Sequence, residues 1–177
     1  MRMHRSLLLG LAAGAVLLTA VPAAAAVTAK DLQIIGRALS FLEKPPRGEV
    51  RVGIVYSAAN AQSVREAEDL QKLMADGLRV GTLTLRPVMV VLGDAAGANV
   101  DLFLLASGLG TEAAALGAVT ARRHIACVTT DIAQVRAGTC MMGVRSQSKI
   151  EILVNRSAAS RSGMAFSAVF RMMITEI

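Results

Sequence analysis

The residues whose types and spacing most resemble chemistry lie in the middle of the chain. Asp101 to Ala114, DLFLLASGLGTEAA, contains Gly108-x-Gly110-x-x-Ala113 between an apolar run and a helical pattern. A strand that runs into such a turn can aim a helix N-terminus at a pyrophosphate. Asp131 stands 18 residues past Ala113, where a ribose-binding acid would sit. The same glycines also serve a strand-to-helix turn that needs tight backbone geometry and no ligand. The second reading is preferred, because this strand is central rather than first in the chain.

Thr129, Thr130 and Asp131 close the next apolar run, ACVTTD. A carboxylate directly before a helical turn caps free N–H groups. At the carboxyl end of a strand in an open α/β sheet, the same three residues can hold a polar ligand. Both readings stay open. His124 is the one histidine after residue 26, and no GxSxG elbow or second histidine accompanies it. Hydrolase and zinc chemistry therefore lack their parts, and His124 is read as the start of a strand. Met141, Met142, Met172 and Met173 are core filler rather than copper ligands. No catalytic set, metal site or cofactor is assigned, and an enzyme is not expected.

The elements that must position these residues alternate in period. Leu32, Ile35, Leu39 and Leu42 predict a helix over 28–43, stopped by Pro45-Pro46. EVRVGIVY (49–56) reads as a largely buried strand. A helix over 61–75 follows, capped by Ser57 or Asn60. Strands are expected near 82–86, 87–92, 101–106 and 124–129, with a small-residue helix over 111–122. Residues 139–145 and 149–155 read as a hairpin. A last helix over 157–175 would bury Ala165, Val169, Met172 and Met173. Alternation of strands with helices implies one α/β domain: a mostly parallel sheet with helices on both faces, an antiparallel C-terminal hairpin and a closing helix.

Residues 1–26 read as a secretory signal peptide. Arg2, His4 and Arg5 precede the apolar run Leu7–Leu18, then come Pro22 and Ala24-x-Ala26. Cleavage before Val27 would leave 27–177 as the exported, periplasmic domain. Two arginines leave with the signal, so the net charge falls from +6 to +4. The basic residues are dispersed and the chain has no Trp and one Tyr, which argues against nucleic acid as a partner. Cys127 and Cys140 suit one disulfide in an oxidising compartment, or two buried thiols.

CVTTDIAQVRAGTCMMGVRSQSKIEILVNRSAASRSGMAFSAVFRMM, the C-terminal third, resembles the YfiR-like periplasmic family. The matching positions are Thr130-Asp131, Gly138, Met141-Met142-Gly143, Ile152 to Asn155 and Gly163. RALSFLEKPP before VRVGIVY is similar to that family's opening helix, proline turn and first strand. Leu42, Glu43 and Lys44 replace the aromatic residues usual near the turn, and one cysteine pair is present. The resemblance implies a periplasmic α/β regulator without known catalysis. The best-known members of that family repress a membrane diguanylate cyclase by binding its periplasmic part, so cyclic di-GMP signalling and a membrane signalling partner are expected. The pattern is also similar to one lobe of a periplasmic binding protein. That alternative is a solute-binding component of a transport system, whose single lobe would need a homodimer or a shallow site for a small-molecule ligand. The protein-binding reading places the contact at the sheet end and the last helix. It expects Met172→Asp to unfold the domain and Arg161 and Arg171 to be exposed.

Overall fold

Alternating apolar residues build the sheet's centre. The computed structural model describes residues 27–147 and 149–177, so the expected signal peptide lies outside the described residues. Strand β1 (Gly48–Tyr56) buries Val50, Val52 and Ile54 on one face and Val55 on the other. Strands buried on both faces are what a covered parallel sheet requires.

Eight strands form one sheet in the order β2-β3-β1-β4-β5-β6-β7-β8. They are β2 (Leu78–Val80), β3 (Leu83–Val91), β4 (Leu102–Leu105), β5 (Ala126–Thr129), β6 (Met142–Arg145), β7 (Glu151–Val154) and β8 (Thr175–Glu176). The pairs β2–β3 and β6–β7 are antiparallel and the rest parallel. The α/β class, the mostly parallel sheet and the antiparallel C-terminal pair are as the sequence predicts. Chain order reverses between β1 and β4, whose carboxyl ends therefore border the crevice where open α/β sheets bind ligands.

Helices cover both faces. In α1 (Ala29–Leu39), Gly36 approaches so closely that a Cβ there would lie 2.8 Å from Val80 Cγ1. Val80 pairs in register with Leu83, which pairs with Gly48, so α1 lies on the Val52/Ile54 face. The crossover helix α2 (Ala61–Met74) joins β1 to β3 and runs in the opposite sense to the crossover from β4 to β5. Right-handed connections then put α2 and α3 (Ala114–Arg123) on opposite faces. Arg123 lies over the Phe103 ring, on the Val55 face, and donates to Ala95 O at 3.0 Å and Ala98 O at 2.7 Å. The short α4 (Ile132–Arg136) packs on that same face, against Gly143.

Several local expectations change. Helix α1 stops at Leu39, four residues short of the expected end. The cause is tertiary: Glu43 N donates to Ala165 O at 2.8 Å and Ser167 N to Phe41 O at 2.9 Å, which pulls 41–43 alongside 165–167. The two strands expected over 82–92 are one. Partner β2 ends opposite Leu85, so Pro87 lies on a strand whose outer flank no longer has a strand neighbour among the described residues, where its missing N–H costs least. His124 does not begin a strand; it caps α3 in the left-handed conformation, with φ 52°.

The single closing helix is instead α5 (Arg156–Arg161), a turn at Gly163, α6 (Ala168–Arg171) and then β8. Its large buried side chains are Phe166 and Phe170, with Ala158 and Ala159 of α5 also buried, whereas Ala165, Val169, Met172 and Met173 are exposed. Phe170 stacks on Phe41 with ring centroids 4.8 Å apart. An aromatic residue thus stands one position before the Leu42-Glu43-Lys44 turn after all. The expectation that Met172→Asp would bury a charge is overturned, because Met172 is 81% exposed. Arg161 and Arg171 are exposed, as expected.

Candidate functional site

A cleft of about 650 Å³ opens at the carboxyl ends of β4, β5 and β6. Its floor comes from Ser107 and Gly108 after β4, Thr130 and Asp131 after β5, and Arg145 to Gln147 at and after β6. The walls come from the first turns of α1 and α2 on one side and from α4 on the other. This is the end of the sheet at which ligands bind in open α/β folds, and the size falls within the ordinary range for small-molecule sites.

The turn after β4 is set by its glycines. Gly108 (φ 79°) and Gly110 (φ 54°) both adopt the left-handed conformation that side chains disfavour. The Asn60 carboxamide donates to Gly108 O at 2.8 Å, while its oxygen caps α2 by accepting from Gln62 N (2.9 Å) and Ser63 N (3.3 Å). Asn60 Nδ2 lies only 2.8 Å from where a Gly108 Cβ would stand. The amide therefore packs directly against the Cα of Gly108, where a side chain would collide with it. Gly110 does not line the cleft; its carbonyl accepts from Gln134 Nε2 at 3.2 Å and holds α4 against the turn.

The threonines and Asp131 divide their work. Thr129 is fully buried, donates to Leu105 O at 3.2 Å and accepts from Asp131 N at 3.0 Å. It positions the turn and does not reach the cleft. Asp131 Oδ1 caps α4 by accepting from Ala133 N at 2.9 Å, while the residue also lines the cleft beside Thr130. Capping and lining are thus both present in one residue.

Four residues that the sequence reading passed over complete the cleft. Glu66 of α2 accepts hydrogen bonds from Ser107 N (3.2 Å) and Ser107 Oγ. Arg145 bonds Glu151 at 2.6 Å, and this hydrogen bond holds the Glu151 carboxyl below its ordinary value. Arg136 projects from the end of α4. Asp31 is the most unusual. One oxygen, Oδ2, accepts from Thr28 N (2.9 Å) and Thr28 Oγ1 (2.7 Å), closing a capping box at the start of α1. The other, Oδ1, is buried and has no hydrogen-bond partner among the described residues. A buried acceptor without a partner costs about 1–3 kcal/mol, and more when charged. The signal that could have found Asp31 is the Thr28-x-x-Asp31 spacing of a capping box. No histidine lines the cleft, and no group of three metal-ligating side chains occurs among the described residues.

The cysteines stabilise the same region. Cys127 in β5 and Cys140 before β6 lie at disulfide distance, with Cα atoms 4.7 Å apart. The strands are sheet neighbours, so the geometric condition for a bridge is met. The pair encloses Thr129 to Arg136, including the turn that floors the cleft and all of α4.

A second surface lies elsewhere. Val169, Met172 and Met173, at i, i+3 and i+4 spacing, are 60%, 81% and 63% exposed, next to the half-exposed Phe41 that stacks on Phe170. Among the described residues no helix is long and apolar enough to cross a membrane. No protein-family model matches the chain, and a comparison with curated proteins finds no match.

Proposed function

We propose that this chain is a non-catalytic, periplasmic regulatory protein of the YfiR-like kind, which binds the periplasmic part of a membrane diguanylate cyclase. The observation that carries this reading is the Val169/Met172/Met173 surface beside Phe41. Three large apolar side chains held in water on α6 and the turn that follows it cost solvation without contributing to the core. Such patches mark surfaces that bind another macromolecule. Methionine suits a docking face because its flexible thioether adapts to the partner. The cysteine pair fits an oxidising compartment, and the signal-like residues 1–26 supply a route to it.

The test is functional. Production of the full chain in cells that carry its cognate cyclase should lower cellular cyclic di-GMP. Met172→Asp should remove that effect while the purified variant retains the wild-type melting temperature. An unchanged cyclic di-GMP level with the wild-type chain correctly exported would refute the reading. So would full activity of a folded Met172→Asp variant.

A further inference from the structure

The fold sorts its methionines by access to solvent. Met74, Met141 and Met142 are sealed in the core at 1% exposure or less, whereas the adjacent Met172 and Met173 stand 81% and 63% exposed. The other two methionines among the described residues are half-buried. Oxidation of a thioether follows access, so Met172 and Met173 carry the sulfur atoms that a dissolved oxidant meets first. The groups that ordinarily compete are few. The chain has no Trp, and no free cysteine occurs among the described residues.

The face that bears these two residues can change its chemistry without loss of the fold beneath it. Phe170 fastens α6 to the body of the protein, because it is buried and stacks on Phe41. Met172 N donates to Ala168 O at 3.3 Å and Met173 N to Phe170 O at 2.9 Å, so main-chain bonds hold both positions. Neither side chain belongs to the core. With a peroxide, the thioether sulfur attacks one peroxide oxygen; an S–O bond forms and the O–O bond breaks. The departing hydroxide takes the proton of the transferred oxygen and leaves as water. Sulfur gives up two electrons and the peroxide gains them. The product is a polar sulfoxide, which water solvates in the free protein and an apolar partner face does not.

We propose that Met172 and Met173 form a modification site at which peroxide-class oxidants make methionine sulfoxides, and that this releases the cyclase's periplasmic part from the face. The release rests on the regulatory reading above, whereas the modification does not. Sulfoxide reductases reverse the reaction, so an oxidised face is restored rather than replaced. A docked partner covers the two thioethers. The oxidant therefore acts on the unbound fraction and draws the equilibrium away from the complex by mass action.

The probe is hydrogen peroxide, added to the purified processed protein and followed by peptide mass mapping over time. Met172 and Met173 should convert at least about tenfold faster than Met74, Met141 and Met142, which meet solvent only when the fold opens. The melting temperature of protein oxidised at both positions should stay within about 2 °C of the untreated value, as for other changes at exposed positions. Equal conversion of exposed and buried methionines, or a larger fall in melting temperature, overturns the modification site. Affinity for the periplasmic part of the cognate cyclase, measured before and after treatment, should fall about tenfold or more, since an unpaired polar oxygen would enter an apolar interface. The double variant Met172→Leu, Met173→Leu should show the same affinity before and after peroxide, whatever its starting value. Unchanged affinity of the oxidised wild type, or an equal loss in the double variant, overturns the release. If the untreated protein binds no cyclase, the regulatory reading fails and the release with it, while the mapped rates still decide the modification site.

Discussion

Gly143→Ala tests how the sheet sets the position of α4, and through it one wall of the cleft. Gly143 lies in β6 directly beneath α4. A Cβ there would stand 2.7 Å from Val135 Cγ2 and 2.8 Å from Ile132 Cδ1, whereas ordinary contact begins at 3.4 Å. Ile132 presents the far end of a flexible side chain and can yield. Val135 cannot yield as easily, because it is fully buried and β-branched, with a stiff χ1. To restore contact from 2.7 to 3.4 Å, α4 must lift by about 0.7 Å. Overpacking of this kind costs about 1–3 kcal/mol. Glycine-to-alanine exchange also removes freedom from the unfolded chain, which returns about 0.4–1 kcal/mol. The net expectation is a loss of about 1–2 kcal/mol, or about 3–7 °C in melting temperature for a domain of this size. Urea unfolding of wild type, Gly143→Ala, Val135→Ala and the double variant measures it. The double variant should be more stable than the sum of the single effects by about 1 kcal/mol, since the clash is then absent. Equal or greater stability of Gly143→Ala, or strict additivity in the cycle, would refute the argument.

Three further outcomes are expected. Phe170→Ala, which empties a buried aromatic site, should cost about 3–5 kcal/mol, while Met172→Asp at an exposed position should change stability by less than about 0.5 kcal/mol; thermal unfolding distinguishes them, and a collapse of Met172→Asp would contradict the observed exposure. Reduction should lower stability by about 3 kcal/mol, the chain-entropy value for a crosslink spanning 13 residues, and thiol labelling of unfolded, non-reduced protein should find no free cysteine; two labelled thiols would refute the bridge. Asp101 joins β4 to β1 through a bidentate pair with Arg51, whose hydrogen bond lowers the Asp101 pKa below its ordinary 3.8. A depressed carboxyl contributes stability above the unfolded value and loses it as pH falls through the folded one, so Asp101→Asn should flatten the acid limb of the stability profile, and an unaltered limb would count against the pair.

Much of the sheet was legible because burial on both faces writes itself into local sequence. The runs around Val52, Leu104 and Val128 are predominantly apolar, and the residues between them have helical period. Asn60 was recognisable as one of two caps, and Asp131 as a residue with two roles. The C-terminal segment misled because two helical stripes, one residue apart, compete there. Ala165, Val169, Met172 and Met173 fit the period as well as Phe166 and Phe170 do. The choice between them is made by Phe41, more than a hundred residues away, and a local window does not contain it. His124 misled for a similar reason: nothing in ARRHIA distinguishes a left-handed cap from a first strand residue. In the cleft, Thr130, Asp131 and Gly108 were found because strand ends are recognisable. Asp31, Glu66 and Arg136 come from helices whose faces become neighbours only through the strand order.

Pro87 has a consequence for how copies of this chain meet. Past Leu85 the outer flank of β3 has no strand beside it among the described residues, yet it continues through Val88, Met89, Val90 and Val91. An unpaired apolar strand of that composition is a template for sheet extension and, eventually, for fibres. A proline is tolerated in a strand where its nitrogen faces away from a partner, so the residue without a donor lies on that open flank. Chemistry guards the flank: an incoming strand finds its ladder interrupted at the start. A further strand laid along this flank would meet, at Pro87, a position that offers it no donor.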